Sequence, residues 1–546
     1  MNPKKSKDAE TAYFWADQKA DELVKRRRYH YLEKEIPEFD KYVVKTSASI
    51  SGVLHIGRLS DTIRSESVSR VLEERGYNAE LIWVAEDMDP LRKIPEGVPS
   101  DYEEYIGVPV VNIPDPWGCH GSYAEHHVSK YLEVLHKFVS QDMTLYSMHE
   151  EYRKGSFKPY IKSLLENLEE VIEIQNRYRE HPLGRGWSPW TPTCENCGKI
   201  ITSKVRSFEE EKVGYRCEDY KFESSIARGC GHEGEANPLR DAGKMMWKGE
   251  WAAQWARWKV VSEGAGKEYV VPSSAWWVNA EIVERILDFP MPEPIFYEHL
   301  MINGEKMSAS LGNVVFPHDW LEVASPELLR FFYNKKLMKT RSFSWQELPN
   351  LYDDYDRAAR IFFGEEDVEN RKELEHIKRL YQISQIKEQE KPVPAQFSYI
   401  AVLAQIFGDD NRVLETLKRT GHYKEERKNL LLERIRLARN WAALYVPEKD
   451  RIGLLEDYST VKEKLSDEQK IFLERVSDYF AGGERVAEDI QGHIFTTSKE
   501  MEMPLRKAFQ AIYLSLLGTT RGPKAGTLIT SLDKDWVLKR FKEVRA

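Results

Sequence analysis

The segment from Lys41 to Asp89 constrains this chain more than any other. "KYVVKTSAS" is an apolar, β-branched run, "LSDTIRSESVSRVLEERGY" carries apolar residues at helical spacing, and "NAELIWVAEDMD" is a second apolar run. Strand, helix, strand in that order is a βαβ unit, and it predicts a parallel sheet with right-handed crossovers. Proline-rich loops follow, then helices from about Ser122 to Arg179. The α/β pattern resumes with "KEYVVPSSAWW", "AEIVERILDF" and "IFYEHLMIN". The expected fold class is a Rossmann-like α/β domain over residues 1–343.

Composition changes at "HPLGRGWSPWTPTCENCGK". From 182 to 258 the chain reads as an insertion of short strands, carrying cysteines and the tryptophans Trp247, Trp251, Trp255 and Trp258. After Phe343 strands nearly vanish, and stretches such as "ERKNLLLERIRLARNWAALYV" and "MPLRKAFQAIYLSLLG" repeat apolar residues at helical spacing. Residues 344–546 are expected to form an all-α domain. A chain of 546 residues exceeds one hydrophobic core, so several domains are required.

No apolar run approaches the roughly 20 residues of a membrane span, and the N-terminus lacks a signal peptide's apolar core, so a cytoplasmic protein is expected. A net charge of −9 opposes blanket electrostatic binding of nucleic acid but leaves room for a local basic surface. No oligomeric state follows from the sequence.

Four of the five cysteines, Cys194, Cys197, Cys217 and Cys230, crowd into one window. Cys194-x2-Cys197 followed by a second pair has the spacing of a zinc knuckle, with four protein ligands and therefore a structural role. The second half is less regular, so the fourth ligand is Cys217 or, in its stead, His232; a reduced, metal-free cluster is the alternative.

Two further stretches carry chemistry. "SGVLHIGR" places His55 and Gly57 where the first strand hands over to its helix. A helix N-terminus offers unpaired N–H groups to a phosphate, glycines let a nucleotide approach the backbone, and an imidazole donates to a phosphoryl oxygen. Alone, a buried structural histidine is the commoner reading of such a motif. "NGEKMSASLGN" sets Lys306, Ser308 and Ser310 between glycines after a late strand, a loop of donors suited to a triphosphate under attack. Alone, it is an ordinary surface loop.

Together, a histidine–glycine strand–helix junction and a K-M-S-x-S loop resemble the paired signatures of class I aminoacyl-tRNA synthetases. The strings "EDMDPLRKIPEGVP", "IPDPWGCHGSYAEHH", "GKMMWKGEWAAQWARW", "LARNW" and "RGPKAGTLITSLDKDWVLKR" resemble, in order and over nearly the whole chain, the class I lysyl-tRNA synthetases of archaea and some bacteria. The resemblance implies a catalytic Rossmann domain, a zinc-bearing insertion and a helical anticodon-binding domain. It implies ATP with Mg2+, lysine and a tRNA, expected to be tRNA-Lys, as reactants.

By that resemblance His55, Gly57, Ser51, Gly52, Lys306, Ser308 and Ser310 hold the ATP phosphates, and Gly266 and Glu268 of "GAGKEY" hold the ribose. Ser47 and Ser49, Asp87 and Asp89, Tyr269, Trp276 and Trp277 fall at amino-acid-binding positions. For Asp87 and Asp89 a helix cap paired to Arg92 or Lys93 is the competing reading. The chain departs from the family at Arg58, an asparagine elsewhere, and at Ala309, a lysine elsewhere. It also has serines for a glycine and a threonine at 47 and 49, and Tyr269 for a histidine. These changes keep two alternatives open: a paralogue activating another amino acid or loading another acceptor, and a catalytically inactive tRNA-binding protein.

Overall fold

The computed structural model describes residues 13–50, 55–95, 97–184, 186–209, 212–307 and 313–545. It divides into two compact units, the first comprising residues up to His318 together with Leu329–Phe343 and Asn370–Glu388.

The first unit is built on a five-stranded sheet, wholly parallel, of β1 (Tyr42–Ser49), β2 (Ala79–Glu86), β3 (Met143–Ser147), β4 (Val260–Gly266) and β5 (Glu293–Tyr297). Its order is β5-β4-β1-β2-β3. The crossover from β1 therefore runs one way and that from β4 the other, which opens a crevice at the strands' C-terminal ends between β1 and β4.

Helix α1 (Ile56–Glu74) packs on this sheet with a face of small hydroxylated residues, Ser65, Ser67 and Ser69, all buried. Small side chains let the backbones close up: Thr46 and Thr62 share a hydrogen bond of 2.9 Å. At Gly264 on β4 a Cβ would stand 2.0 Å from Asp61 Oδ1, so only glycine fits that crossing.

Two elements differ from the sequence expectation. Met143–Ser147 lies in the span read as all-helical and is instead the sheet's edge strand. "KEYVV" is no strand but a 3-10 turn and loop, and the strand lies just upstream at Val260–Gly266.

The region between Trp190 and Met245 holds small antiparallel sheets, among them Trp190–Pro192 with Gly243–Met245, and Ser203–Glu209 with Lys212–Cys217 and Glu233–Ala236. Helix α2 (Trp247–Trp258) then returns the chain to the sheet.

The second unit is helical, with no strand among its described residues. Arg434 is buried there against Asp356 at 3.1 Å, its guanidinium 4.1 Å from the Tyr352 ring centroid. No described helix is long and apolar enough to cross a membrane.

Candidate active site

A cavity of ≈ 640 Å³ occupies the crevice. The ends of β1, β2, β4 and β5 supply its floor, and the start of α1 one wall.

His55 caps α1. Its Nδ1 accepts the Gly57 N–H at 3.1 Å, which in the neutral ring leaves the proton on Nε2 as a donor. Burial, then the Arg58 guanidinium, lowers its pKa to about 4, so the ring is neutral at physiological pH. A Cβ at Gly57 would stand 2.8 Å from the imidazole, so glycine lets the ring fold over the helix start. Lys306, on a short hairpin with Leu300–Ile302, lines the same cavity, as do Arg58 and Met307. Ser51, Gly52, Ser308 and Ser310 lie outside the described residues.

Gly266, the last residue of β4, and Glu268, in the 3-10 turn after it, line the cavity beside Tyr297 and His299. The Glu268 carboxylate pairs with His299 Nε2 at 3.0 Å, and that bond holds its pKa below the usual range. His299 was not read as a site residue; an isolated histidine after a strand carries no signature of its own.

At the opposite end stand Ser47, Ser49, Asp89 and Tyr269. Ser49 Oγ donates to Asp89 at 3.3 Å. Lys244 Nζ sits between Asp89 at 2.8 Å and Glu250 at 3.0 Å, and Tyr152 donates to Glu250 at 2.5 Å.

Three expected pocket residues lie elsewhere. The Asp87 carboxylate accepts from Ser147 Oγ at 2.5 Å and the His149 N–H at 2.8 Å, capping the helix Met148–Arg153. Trp276 is fully buried behind Trp251 and Trp255, because the phase of the helix Ala275–Arg285 turns it into the core. Trp277 donates to the Val270 carbonyl at 3.3 Å and packs near His30. The aromatic lining comes instead from Trp247 and Trp251, stacked with centroids 4.7 Å apart, and Tyr269 stands edge-on to Trp251 at 5.1 Å. Their i, i+4 spacing was visible in the sequence, but the insertion claimed them.

The four clustered cysteines bring their sulfurs within 4.8 Å of one another. Cys194 and Cys230 are 3.7 Å apart, and Cys197 and Cys217 3.6 Å. These are not disulfides, which need about 2.05 Å; they suit the edges of a sulfur tetrahedron around zinc, about 3.8 Å for 2.3 Å bonds. His232 is turned away, its Nε2 2.7 Å from Glu195. A second cluster joins Asp115, Cys119, His120 and His126. Cys119 Sγ is 3.1 and 3.2 Å from Nδ1 of His120 and His126, and Asp115 is 3.3 Å from His126. The sequence reading left Cys119 apart, because its partners come from a loop and the helix after it.

Comparison with known proteins agrees with this architecture. Residues 13–387 match the family described as tRNA synthetases class I (K), and residues 448–545 an anticodon binding domain. The chain belongs to the class I (K) tRNA synthetase family. It is similar to the lysine–tRNA ligase of Methanosphaera stadtmanae, 32% identical over 547 residues, covering 97% of this chain and 99% of that protein. The lysine–tRNA ligase of Methanocaldococcus jannaschii is 34% identical over 546 residues, with 96% and 99% covered. Among solved structures, the glutamate-tRNA synthetase of Elizabethkingia anophelis matches with a TM-score of 0.40 at 13% identity, covering 92% of this chain and 99% of that one.

Proposed function

We propose that this protein is an ATP-dependent lysine–tRNA ligase. One observation carries the reading: His55 and Lys306, separated by 250 residues of sequence, line one cavity at the sheet's switch point. Similarity to lysine–tRNA ligases over nearly the whole chain supports it.

In this reading the lysine carboxylate attacks the α-phosphorus of ATP, and the bond to the pyrophosphate oxygen breaks. His55 Nε2–H and the first N–H groups of α1 donate to the phosphoryl oxygens as their charge grows, and Lys306 neutralises the departing pyrophosphate. Mg2+ enters with ATP as its counter-ion. Glu268, oriented by His299, hydrogen-bonds the ribose. A tRNA hydroxyl then takes the acyl group from the adenylate, with AMP leaving. We assign this chemistry to residues 1–343 and reading of the anticodon to the helices between 344 and 546, and the match of 448–545 to an anticodon binding domain supports the second assignment. We take tRNA-Lys as the acceptor and the cytoplasm as the place of the reaction.

Cys194, Cys197, Cys217 and Cys230 would hold a structural zinc ion, since four thiolates leave no open position. The mixed set Asp115, Cys119, His120 and His126 suits the same ion, and we extend the reading to it. Metal analysis of the purified chain is then expected to give two zinc ions.

Amino-acid-dependent exchange of pyrophosphate into ATP, run with tRNA present, tests the activity. Lysine is expected to drive it. Exchange with another amino acid identifies a paralogue, and tRNA binding without exchange an inactive binder; either overturns the proposal. His55→Ala and Lys306→Ala are each expected to slow adenylate formation by about 10²–10³-fold.

A further inference from the structure

Buried glutamates in the first unit follow one rule, and Glu86 breaks it. Glu66, Glu151, Glu250, Glu263, Glu281 and Glu284 each lie in an ion pair, with Arg330, Arg257, Lys244, Lys45, Arg285 and Arg26 respectively. Glu86 is 4% exposed, yet among the described residues no cation is paired with it. Its two oxygens accept from a single donor, Gln254 Nε2, at 3.1 and 3.2 Å. A buried carboxylate is costly without a counter-charge.

This glutamate also lines the cavity. It is the last residue of β2, in register with Ser49 on β1. The two nearest lysines are committed, Lys45 to Glu263 at 2.6 Å and Lys244 to Asp89 and Glu250, while Arg92, which also lines the cavity, acts on Asp89 and forms no ion pair with Glu86. Asp89, which also lines the cavity, and Glu250 share the Lys244 ammonium group, and Glu86 is left without a paired cation among the described residues.

We propose that Glu86 selects the substrate by charge, receiving the side-chain ammonium group of the amino acid being activated. The inference rests on the amino-acid-activating function argued above. The substrate carboxylate must stay near His55 at the start of α1, so its far end reaches the enclosed acidic end of the cavity. The indoles of Trp247 and Trp251 border that path and suit the methylenes between. The bound cation is the missing partner.

Protonation follows from the same geometry. Burial is the main cause, and Glu250 and Asp89 add to it against Lys45 and Lys244, raising the Glu86 pKa to about 8. Without a cation the carboxyl holds its proton at neutral pH; an ammonium group displaces that proton. The affinity for a cationic amino acid should therefore strengthen between pH 6 and pH 8.

Pyrophosphate exchange with tRNA present, comparing lysine with norleucine (lysine without its ε-ammonium), tests the assignment. Glu86→Gln is expected to raise KM for lysine about 100-fold and leave KM for ATP unchanged. Its preference for lysine over norleucine should collapse, and the pH dependence of KM should flatten. Glu86→Asp, which keeps the charge, should retain part of the preference. An unchanged KM for lysine in Glu86→Gln overturns the inference, and so does an equal loss for lysine and norleucine, which would tie Glu86 to the α-amino group or to packing. Wild-type exchange driven by arginine or ornithine would correct the substrate and leave the charge reading standing. Exchange driven by a neutral amino acid alone would overturn both.

Discussion

Two titrating side chains on the first two turns of α1 act on stability in opposite directions. His55 is held neutral, its folded pKa below the unfolded value, so its contribution is present above pH 6.5 and fades as pH falls through about 4. Asp61 is the reverse. Its Oδ1 is buried without a hydrogen-bond partner, and burial, then the charge of Glu263, raises its pKa to about 7. A carboxyl with a raised folded pKa loses stability as pH climbs from the unfolded value near 3.8 to 7. Asp61→Asn should therefore stabilise the protein by an amount that grows between pH 4 and pH 7 and levels off above; denaturant melts at three pH values across that range check it, and a pH-independent difference contradicts it. At this scale the sequence was partly legible. His55, Gly57 and Lys306 could be read because the phosphate site proposed for them is made of local backbone and one or two donors, and the three line one cavity. Trp276 misled because a helix's phase, not its composition, decides which indole meets the cavity.

Strand β1 shows why elements are easier to read than their partners. Lys45 sits mid-strand, wholly buried, and its counter-charge Glu263 arrives 218 residues later on β4. Glu263 also accepts from the indole N–H groups of Trp251, at 2.9 Å, and Trp255. Nothing local in "YVVKTSAS" announces this. Removing one member of a buried pair strands the other, at a cost of about 3–5 kcal/mol. Lys45→Met should lower stability by that amount, and adding Glu263→Gln, which keeps an acceptor for the indoles without the charge, should recover part of it; equal melts for the two variants would refute the coupling. The edge strand Met143–Ser147 was missed for a related reason: much of it is exposed, so it lacks the apolar run that marks β1 and β2. "KEYVV" had the composition of a strand, but sheet pairing selected "VVSEGAG", whose Gly264 the packing of α1 requires.

Across the molecule, the cysteine cluster lies apart from the cavity lining yet supports it from two directions. On one side, Ile200 N–H donates to the Gly107 carbonyl at 2.9 Å, Gly107 N–H to Leu91 at 2.9 Å, and Val110 N–H to Asp89 at 3.0 Å. This chain of backbone bonds steadies the loop that carries Asp89 and Arg92 into the cavity. On the other side, Cys194 lies two residues past the end of the strand Trp190–Pro192, whose partner Gly243–Met245 carries Lys244 to Asp89 and Glu250. Both routes end at the part of the cavity proposed for the amino acid, at Asp89, Arg92 and the Lys244 that pairs with Asp89. A tetrahedral thiolate site fixes its ligand strands, and its loss frees them. If the four thiolates hold zinc as proposed, Cys194→Ser, which leaves the Asp115, Cys119, His120 and His126 set intact, should therefore raise KM for lysine several-fold while KM for ATP changes little, and added zinc should not restore it. Metal content measured on the same samples ties the effect to the ion. Equal changes in both constants would mean that the cluster stabilises the unit as a whole and does not shape the amino-acid pocket.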